Sequence, residues 1–251
     1  MAANVNASRE PIPVLLIPFD PNSQEHLGRM KLQRIACGWK VEEVDSWPEK
    51  QRKGIMGLHW VVLPPGYPRT EEWLKLHFNF YPNEVEALVD TCTSVLGREH
   101  KPDPLLPFFH PIGHISLDSE TYEGSGLLTS LSDGILSLMC FFISRPLQNF
   151  GLGGAALDAV ERIAREQFKA KVITLATIAN EDCAPDSPRR IAMKRPIPKI
   201  TNHDWYERRG FKVYSRDLSW NEIDDTGKEW VIRGIRMRKD LQYGTLSQAQ
   251  W

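Results

Sequence analysis

Apolar residues fall in short runs separated by Pro, Gly and Asn signals, a pattern that predicts alternating strands and helices. Residues 14–19 (VLLIPF) form a buried-strand run ended by Asp20-Pro21-Asn22. A helical pattern follows over 23–39, with Leu27, Met30, Ile35 and Ala36 on one side. Asn22 or Ser23 is its candidate N-cap and Gly38 its C-cap. Residues 55–63 (IMGLHWVVL) read as a strand stopped by Pro64-Pro65-Gly66. Prolines then recur through 64–111, and one helix is expected there, over 83–96, with Val85, Leu88, Val89 and Cys92 on one face. Residues 111–117 alternate as a strand, 118–133 are a Gly/Ser/Thr-rich loop, and 135–144 (ILSLMCFFIS) are the strongest buried strand. A connector over 145–151 leads into a helix over 152–168, whose Leu152, Ala156, Val160, Ile163 and Phe168 repeat at helical spacing. Another buried strand spans 172–178. A second proline-rich segment, 181–200, precedes a short helix over 203–209 closed by Gly210. Residues 211–215 and 230–238 read as strands around a turn at 221–227, and the tail after Asp240 reads as loose.

The pattern implies one α/β domain over 1–251, with insertions at about 64–111 and 181–200 too proline-broken to bury cores of their own. Hydrophobic residues are 41% and charged residues 25%, which excludes a disordered or fibrous chain. A formal net charge of −1 argues against general polyanion binding, so no specific nucleic-acid partner is expected. No run approaches the roughly 18–20 apolar residues of a membrane span. Residues 1–13 lack the basic-then-apolar layout of a secretory signal. Cys37, Cys92, Cys140 and Cys183 lie far apart without zinc-ligand spacing. They read as reduced thiols, with Cys140 a buried strand residue, and no metal site is expected. A cytoplasmic or nuclear location follows as the expectation.

The most informative stretch is Gln148-Asn149-Phe150-Gly151-Leu152-Gly153-Gly154, between a buried strand and an amphipathic helix. Glycines let backbone amides approach an anion closely, and the first turn of a helix offers unpaired N–H groups and about +0.5 of charge. Together these suit a pyrophosphate. A glycine-eased packing loop is the plainer alternative. The dinucleotide fingerprint, matched by Gly151, Gly153 and Ala156, is a weaker one, because about six residues separate the strand from its first glycine.

Gln148-x-x-Gly151-x-Gly153 after a buried strand resembles the acetyl-CoA loop of the GNAT N-acetyltransferases, whose motif is Gln/Arg-x-x-Gly-x-Gly/Ala. Trp205-Tyr206-Glu207-Arg208-Arg209-Gly210-Phe211 resembles the same family's short helix ending in Tyr-x-x-x-Gly-Phe, and residues 111–117 resemble its third strand. The resemblance covers residues 112–240 well and 14–63 loosely. It implies an acyl-CoA N-acyltransferase fold, with a mixed central sheet of splayed strands flanked by helices. It further implies acetyl-CoA as co-substrate and transfer of the acetyl group to a primary amine by direct attack in a ternary complex. Phe141 and Ile143 would present main-chain groups to the pantetheine arm. The pyrophosphate would rest on the amides of Asn149, Phe150, Gly151, Leu152, Gly153 and Gly154. Gln148 would add hydrogen bonds there without charge. Tyr206 is the implied general acid for the leaving thiolate: a phenol titrates near ~10 and a thiol near ~8.5. The family's Asn after the fifth strand corresponds to Asn180, or to Asn202 if the insertion displaces it. A non-catalytic acyl-CoA-binding domain is the alternative function.

No general base stands out; His59, His114, Asp118 and Glu120 are the candidates. Residues 102–144 contain Asp103, Asp118, Glu120, Glu123 and Asp133 and no Lys or Arg, so an acidic rim could favour a cationic small-molecule amine or a protein lysine. Residues 187–199 carry Arg189, Arg190, Lys194, Arg195 and Lys199 without an acid. That run reads as a solvated loop, or as a contact for the CoA 3′-phosphate or an anionic partner.

Overall fold

The computed structural model of the chain describes residues 12–121, 126–194 and 197–241. Its elements run β1 (Leu15–Pro18), α1 (Gln24–Cys37), α2 (Trp47–Arg52), β2 (Leu58–Val62) and α3 (Thr70–Phe80). Four two-residue strands follow: β3 (Leu88–Val89), β4 (Ser94–Val95), β5 (Arg98–Glu99) and β6 (Phe108–Phe109). Then come β7 (Pro111–Ser116), β8 (Ile135–Leu138), β9 (Phe141–Ile143), α4 (Leu152–Phe168) and β10 (Val172–Ile178). The chain continues through α5 (Asn180–Cys183), α6 (Pro188–Ala192), α7 (Asn202–Arg208), β11 (Lys212–Ile223) and β12 (Glu229–Asp240). This is a mixed α/β protein. It forms two compact units, one of residues 12–53, 58–115 and 140–160, the other of 54–57, 116–139 and 161–241.

The first unit is built on a sheet ordered β1-β2-β7-β9. Every residue of β2 and β7 is buried, as expected of strands covered on both faces. Gly113 in β7 is a steric necessity: a Cβ there would sit 2.2 Å from the Phe142 carbonyl oxygen and 3.1 Å from Ile143 Cα. Both are backbone atoms of β9 and cannot swing away. Gly113→Ala should therefore cost about 1–3 kcal/mol, read as a lowered urea midpoint; an unchanged midpoint would mean the two strands separate easily.

Ser23 is the cap of α1, accepting from the His26 amide, and Gly38 closes the helix at φ +76°. The buried face of α1 is not the aliphatic one the sequence suggests. His26, Arg29, Met30, Gln33 and Arg34 point inward, while Ile35 is 63% exposed. Several of these polar side chains are tolerated inside because they bond one another. Gln33 donates to Glu84 Oε2 (3.0 Å) and accepts at Oε1 opposite His114 Nδ1 (2.9 Å), and Arg34 Nη1 lies 3.3 Å from His114 Nε2.

Burial lowers the pKa of His26, His110 and His114 from the usual imidazole value, His114 furthest, with Arg34 adding repulsion there. In the unfolded chain these groups take protons near ~6.5. Stability from their neutrality is thus complete above that pH and declines as pH falls, by up to ~1.4 kcal/mol per pH unit for each group. The urea midpoint should drop between pH 7.5 and 5.5; a midpoint that holds or rises would contradict neutral burial.

The helix expected over 83–96 is absent. A 3-10 turn (Pro82–Glu84) and two small ladders, β3 with β6 and β4 with β5, occupy the stretch. Val85, Val89, Thr91, Thr93 and Val95 are β-branched and favour extended backbone. Leu96 and Gly97, at φ +48° and +72°, make the tight turn between β4 and β5. The helix of this segment is α3 instead, upstream of the expected place.

The second unit holds the sheet β11-β12-β10-β8, in which β10 pairs with β12 antiparallel and with β8 parallel. Expected as one strand over 135–144, the apolar run divides: β8 joins β10, β9 joins β7, and Met139 and Cys140 belong to neither. Cys140 is buried but lies between strands. The strand expected over 211–215 runs on to Ile223, with register shifts after Val213 and Ser215 that absorb its polar middle.

The run 187–199, expected as a solvated loop, departs from that reading in its first part, which forms α6. Ser187 caps α6 by accepting from the Arg190 amide, and Arg189 and Arg190 are buried. Arg189 Nη1 pairs with Glu222 Oε2 at 2.6 Å, and Arg190 Nη1 donates to the Cys183 carbonyl at 3.0 Å. Asp182 accepts from the Arg233 amide at 2.5 Å and from its Nη2 at 2.8 Å. The acids that meet the basic run are Glu222 of β11, with Arg189, and Asp225 in the turn after it, with Lys194. Lys194 stays exposed, Arg195 and Pro196 lie outside the described residues, and residues 197–199 are exposed and outside any helix or strand.

Among the described residues no helix is long and apolar enough to cross a membrane, and no disulfide joins the cysteines. Burial pushes the Cys92 thiol up to about 11.

Candidate functional site

Ladder parity decides what β9 offers. The Ser144 amide donates to the Ile112 carbonyl at 2.8 Å, and Gly113, His114 and Ile115 stand opposite Ile143, Phe142 and Phe141. In an antiparallel pair, hydrogen-bonded and non-hydrogen-bonded residue pairs alternate. Ser144 and Phe142 therefore bond toward β7, and the main-chain groups of Phe141 and Ile143 face the other way. Since β9 ends its sheet, the two residues expected to meet the pantetheine arm carry their amides and carbonyls on the sheet's outer edge. The Ile143 carbonyl accepts from Gln148 Nε2 at 3.0 Å. Gln148 thus braces the strand end through one of its two amide hydrogens.

After β9 a 3-10 turn (Arg145–Leu147) buries Leu147 completely and leads into the glycine loop. Asn149 and Gly151 adopt φ +69° and +90°, on either side of Phe150. Asparagine tolerates that region better than most residues and glycine best. Gly151 is exposed, and helix α4 starts at Leu152 with its buried stripe Leu152, Ala156, Leu157 and Val160 anchoring it. The Ala155 amide closes the first helical bond, to the Gly151 carbonyl at 3.1 Å. Gly153 and Gly154 occupy the first turn of α4 and are partly exposed, and a helix's first turn is where N–H groups are available to a ligand. An acyl-CoA fits these residues: amides of a helix start for the pyrophosphate, and an outward-facing strand edge for the amide-rich arm.

Tyr206 lies in the second unit, on α7. Thr201 caps that helix by accepting from the Asp204 amide at 3.0 Å, and Asn180 holds the cap from the end of β10. Asn180 Nδ2 donates to Asp204 Oδ1 and its Oδ1 accepts from Thr201 Oγ1, both at 2.5 Å. Of the two candidates for the Asn after β10, Asn180 is the one that follows the strand directly, while Asn202 opens α7. Gly210 at φ +89° turns the chain so that the Phe211 amide reaches the Tyr206 carbonyl at 3.0 Å. The Tyr206 ring is 9% exposed and meets Trp205 and Phe211 edge-on, with centroids 4.9 and 5.5 Å away.

The base candidates differ in setting. His59 and His114 are core residues of the first unit, and both His114 ring nitrogens have polar neighbours. Asp118 is buried beside Ser137, with which it exchanges main-chain hydrogen bonds of 2.8 and 2.9 Å. Glu120 is exposed. Asp118 therefore leaves the set of rim acids, Asp103, Glu120 and Asp133 are exposed, and Glu123 lies outside the described residues. Among the described residues no group of three or more His, Cys, Asp or Glu is placed to hold a metal ion.

Sequence reasoning missed α3. Its Trp73 is buried and stacks on Phe150 of the glycine loop, with ring centroids 5.7 Å apart and planes 19° apart. The Trp-x-x-x-His spacing was the available signal, hidden by the prolines around it.

No known sequence family matches the chain, and no curated protein does. Solved structures do. The chain is similar to Arabidopsis thaliana NAA60 in complex with a bisubstrate analogue, at 12% identity over 91% of this chain and 99% of that one, TM-score 0.48. It is similar to the aminoglycoside 6′-N-acetyltransferase from Enterococcus faecium, at 12% identity over 91% and 98%, TM-score 0.48. A third is an aminoglycoside 6′-N-acetyltransferase complexed with coenzyme A, at 12% identity over 91% and 98%, TM-score 0.47. The mixed α/β fold expected from the sequence is the one observed, with the run 135–144 divided between two sheets.

Proposed function

We propose that the protein is an acyl-CoA-dependent N-acyltransferase that takes acetyl from acetyl-CoA to a primary amine. The observation that carries this reading is the run from β9 to α4. An outward-facing strand edge, a loop with two residues at positive φ and a glycine-lined helix start follow one another within fourteen residues, 141–154. Acetyl-CoA supplies an activated thioester. On this reading the protein's part is to orient it, admit the amine and manage protons. The amine nitrogen bonds to the thioester carbon as the carbon–sulfur bond breaks, and the Tyr206 phenol gives its proton to the departing sulfur. The proton lost by the amine goes to solvent or to a base such as Glu120. The exposed acids Asp103, Glu120 and Asp133 support a cationic acceptor, either a small polyamine-like compound or a protein lysine. A cytoplasmic or nuclear location accords with the reduced cysteines.

Calorimetry with CoA, acetyl-CoA and NAD, followed by a mass-detected acetylation assay over an amine panel, tests the proposal. The expected result is binding of both CoA forms, none of NAD, and turnover of at least one cationic amine. CoA binding without turnover on any amine would favour a regulatory acyl-CoA-binding domain, and absent CoA binding would remove the reading.

A further inference from the structure

One face of α3 grips the cofactor loop. Arg69, Trp73 and His77 are spaced four residues apart, so their side chains line one stripe. His77 Nδ1 lies 2.7 Å from Ser144 Oγ, at the end of β9. Trp73 stacks on Phe150, inside the loop. The Arg69 guanidinium lies 4.7 Å from the Trp73 ring and 5.6 Å from the Phe150 ring, covering both. Each clamp member is itself fixed from behind. Glu72 holds Arg69 through bonds of 3.1 and 2.8 Å, Tyr67 packs at 5.6 Å from Trp73, and Glu84 Oε2 lies 3.5 Å from His77 Nε2. The helix therefore touches the connector at both ends, Ser144 and Phe150, and every contact lies within the first unit.

We infer that Trp73, with Arg69 and His77, is a positioning residue for the acyl-CoA loop, holding Asn149–Gly151 in the positive-φ shape that aims the amides. This rests on the acyl-CoA reading above. Asn149 and Gly151 both take positive φ, and Phe150 between them is held by its stack on Trp73. Arg69 has a second consequence. It brings a guanidinium to the loop in which Gln148 supplies no charge. Without the clamp the loop must be ordered by the ligand, and affinity falls by the cost of that ordering.

The test compares Phe150→Leu, Phe150→Tyr and Trp73→Leu with the parent protein. Thermal unfolding shows which variants fold, calorimetry gives the CoA Kd, and steady-state kinetics give KM for acetyl-CoA and for the amine. Phe150 is only partly buried, so Phe150→Leu keeps the experiment decisive if Trp73→Leu does not fold. The expected result is a Kd for CoA raised about tenfold in Phe150→Leu, with the acceptor KM little changed and most of the affinity restored in Phe150→Tyr. Unchanged CoA affinity in Phe150→Leu overturns the inference while leaving the acyl-CoA reading standing. Equal rises in both KM values also overturn it, because they mark a general loss of structure. If the parent protein itself does not bind CoA, the acyl-CoA reading falls, and the clamp's role in cofactor binding with it.

Discussion

Gly153→Glu should abolish CoA binding without unfolding the protein. Gly153 sits in the first turn of α4, partly exposed, one residue past the buried Leu152 that anchors the helix. Glutamate is a good helix former, and an acid in a first turn is favourable to the helix dipole, so the fold should hold or gain slightly. The ligand meets the opposite situation. A carboxylate occupies the place a pyrophosphate would take, repels it, and competes for the same amides. Binding should fall by two orders of magnitude or more, on the order of 3 kcal/mol, in calorimetry. Thermal unfolding within a few degrees of the parent would show that the loss is local. Unchanged affinity would mean the phosphates do not lie at this helix start, and the case for an acyl-CoA site would fail with it.

Tyr206→Phe should lower kcat by about 10²–10⁴-fold, the usual range for removing a general acid. The substitution deletes one oxygen from a ring packed edge-on between Trp205 and Phe211 and keeps those contacts. CoA affinity should stay near that of the parent, because the phenol matters chiefly as charge develops on sulfur. Any limb of the kcat–pH profile that belongs to this phenol should shift or vanish as well. A variant that keeps more than about half its kcat, with chemistry shown to limit turnover, would give the proton to water or another group.

The parts of the fold visible in the sequence are those where apolar spacing and turn chemistry agree. Helix α4 has both a clean apolar stripe and a glycine entrance, and α1 has a Ser cap and a Gly stop. Where one signal is missing, the reading fails in a physically understandable way. Helix α3 hides because its buried positions are Trp73 and His77, while Leu76 and Phe80 are 37% and 57% exposed, so hydrophobicity marks the wrong face. The helix expected over 83–96 had an apolar stripe but β-branched composition, and composition prevailed. The division of 135–144 into β8 and β9 has no local cause in the residues; it follows from which strands compete for each half. At the candidate site, the glycines and Tyr206 were legible because they form ordered motifs. The brace from Gln148 to Ile143 and the stack on Trp73 were not, since each depends on a partner that only the fold brings near.

The interior placement of Arg189 and Arg190 changes how the molecule looks from a distance. Counted along the chain, their segment is a concentrated positive patch. In space, Arg189 and Glu222 form a close ion pair whose field decays as a dipole's, much faster than that of a lone charge. Asp182, seven residues before Arg189, likewise meets Arg233. Lys194, though exposed, also has an acid within reach, Asp225 at 3.4 Å. Of the described cations in this run, Arg189 and Lys194 each have an acid partner, so a distant anion feels a weaker field than the sequence count implies.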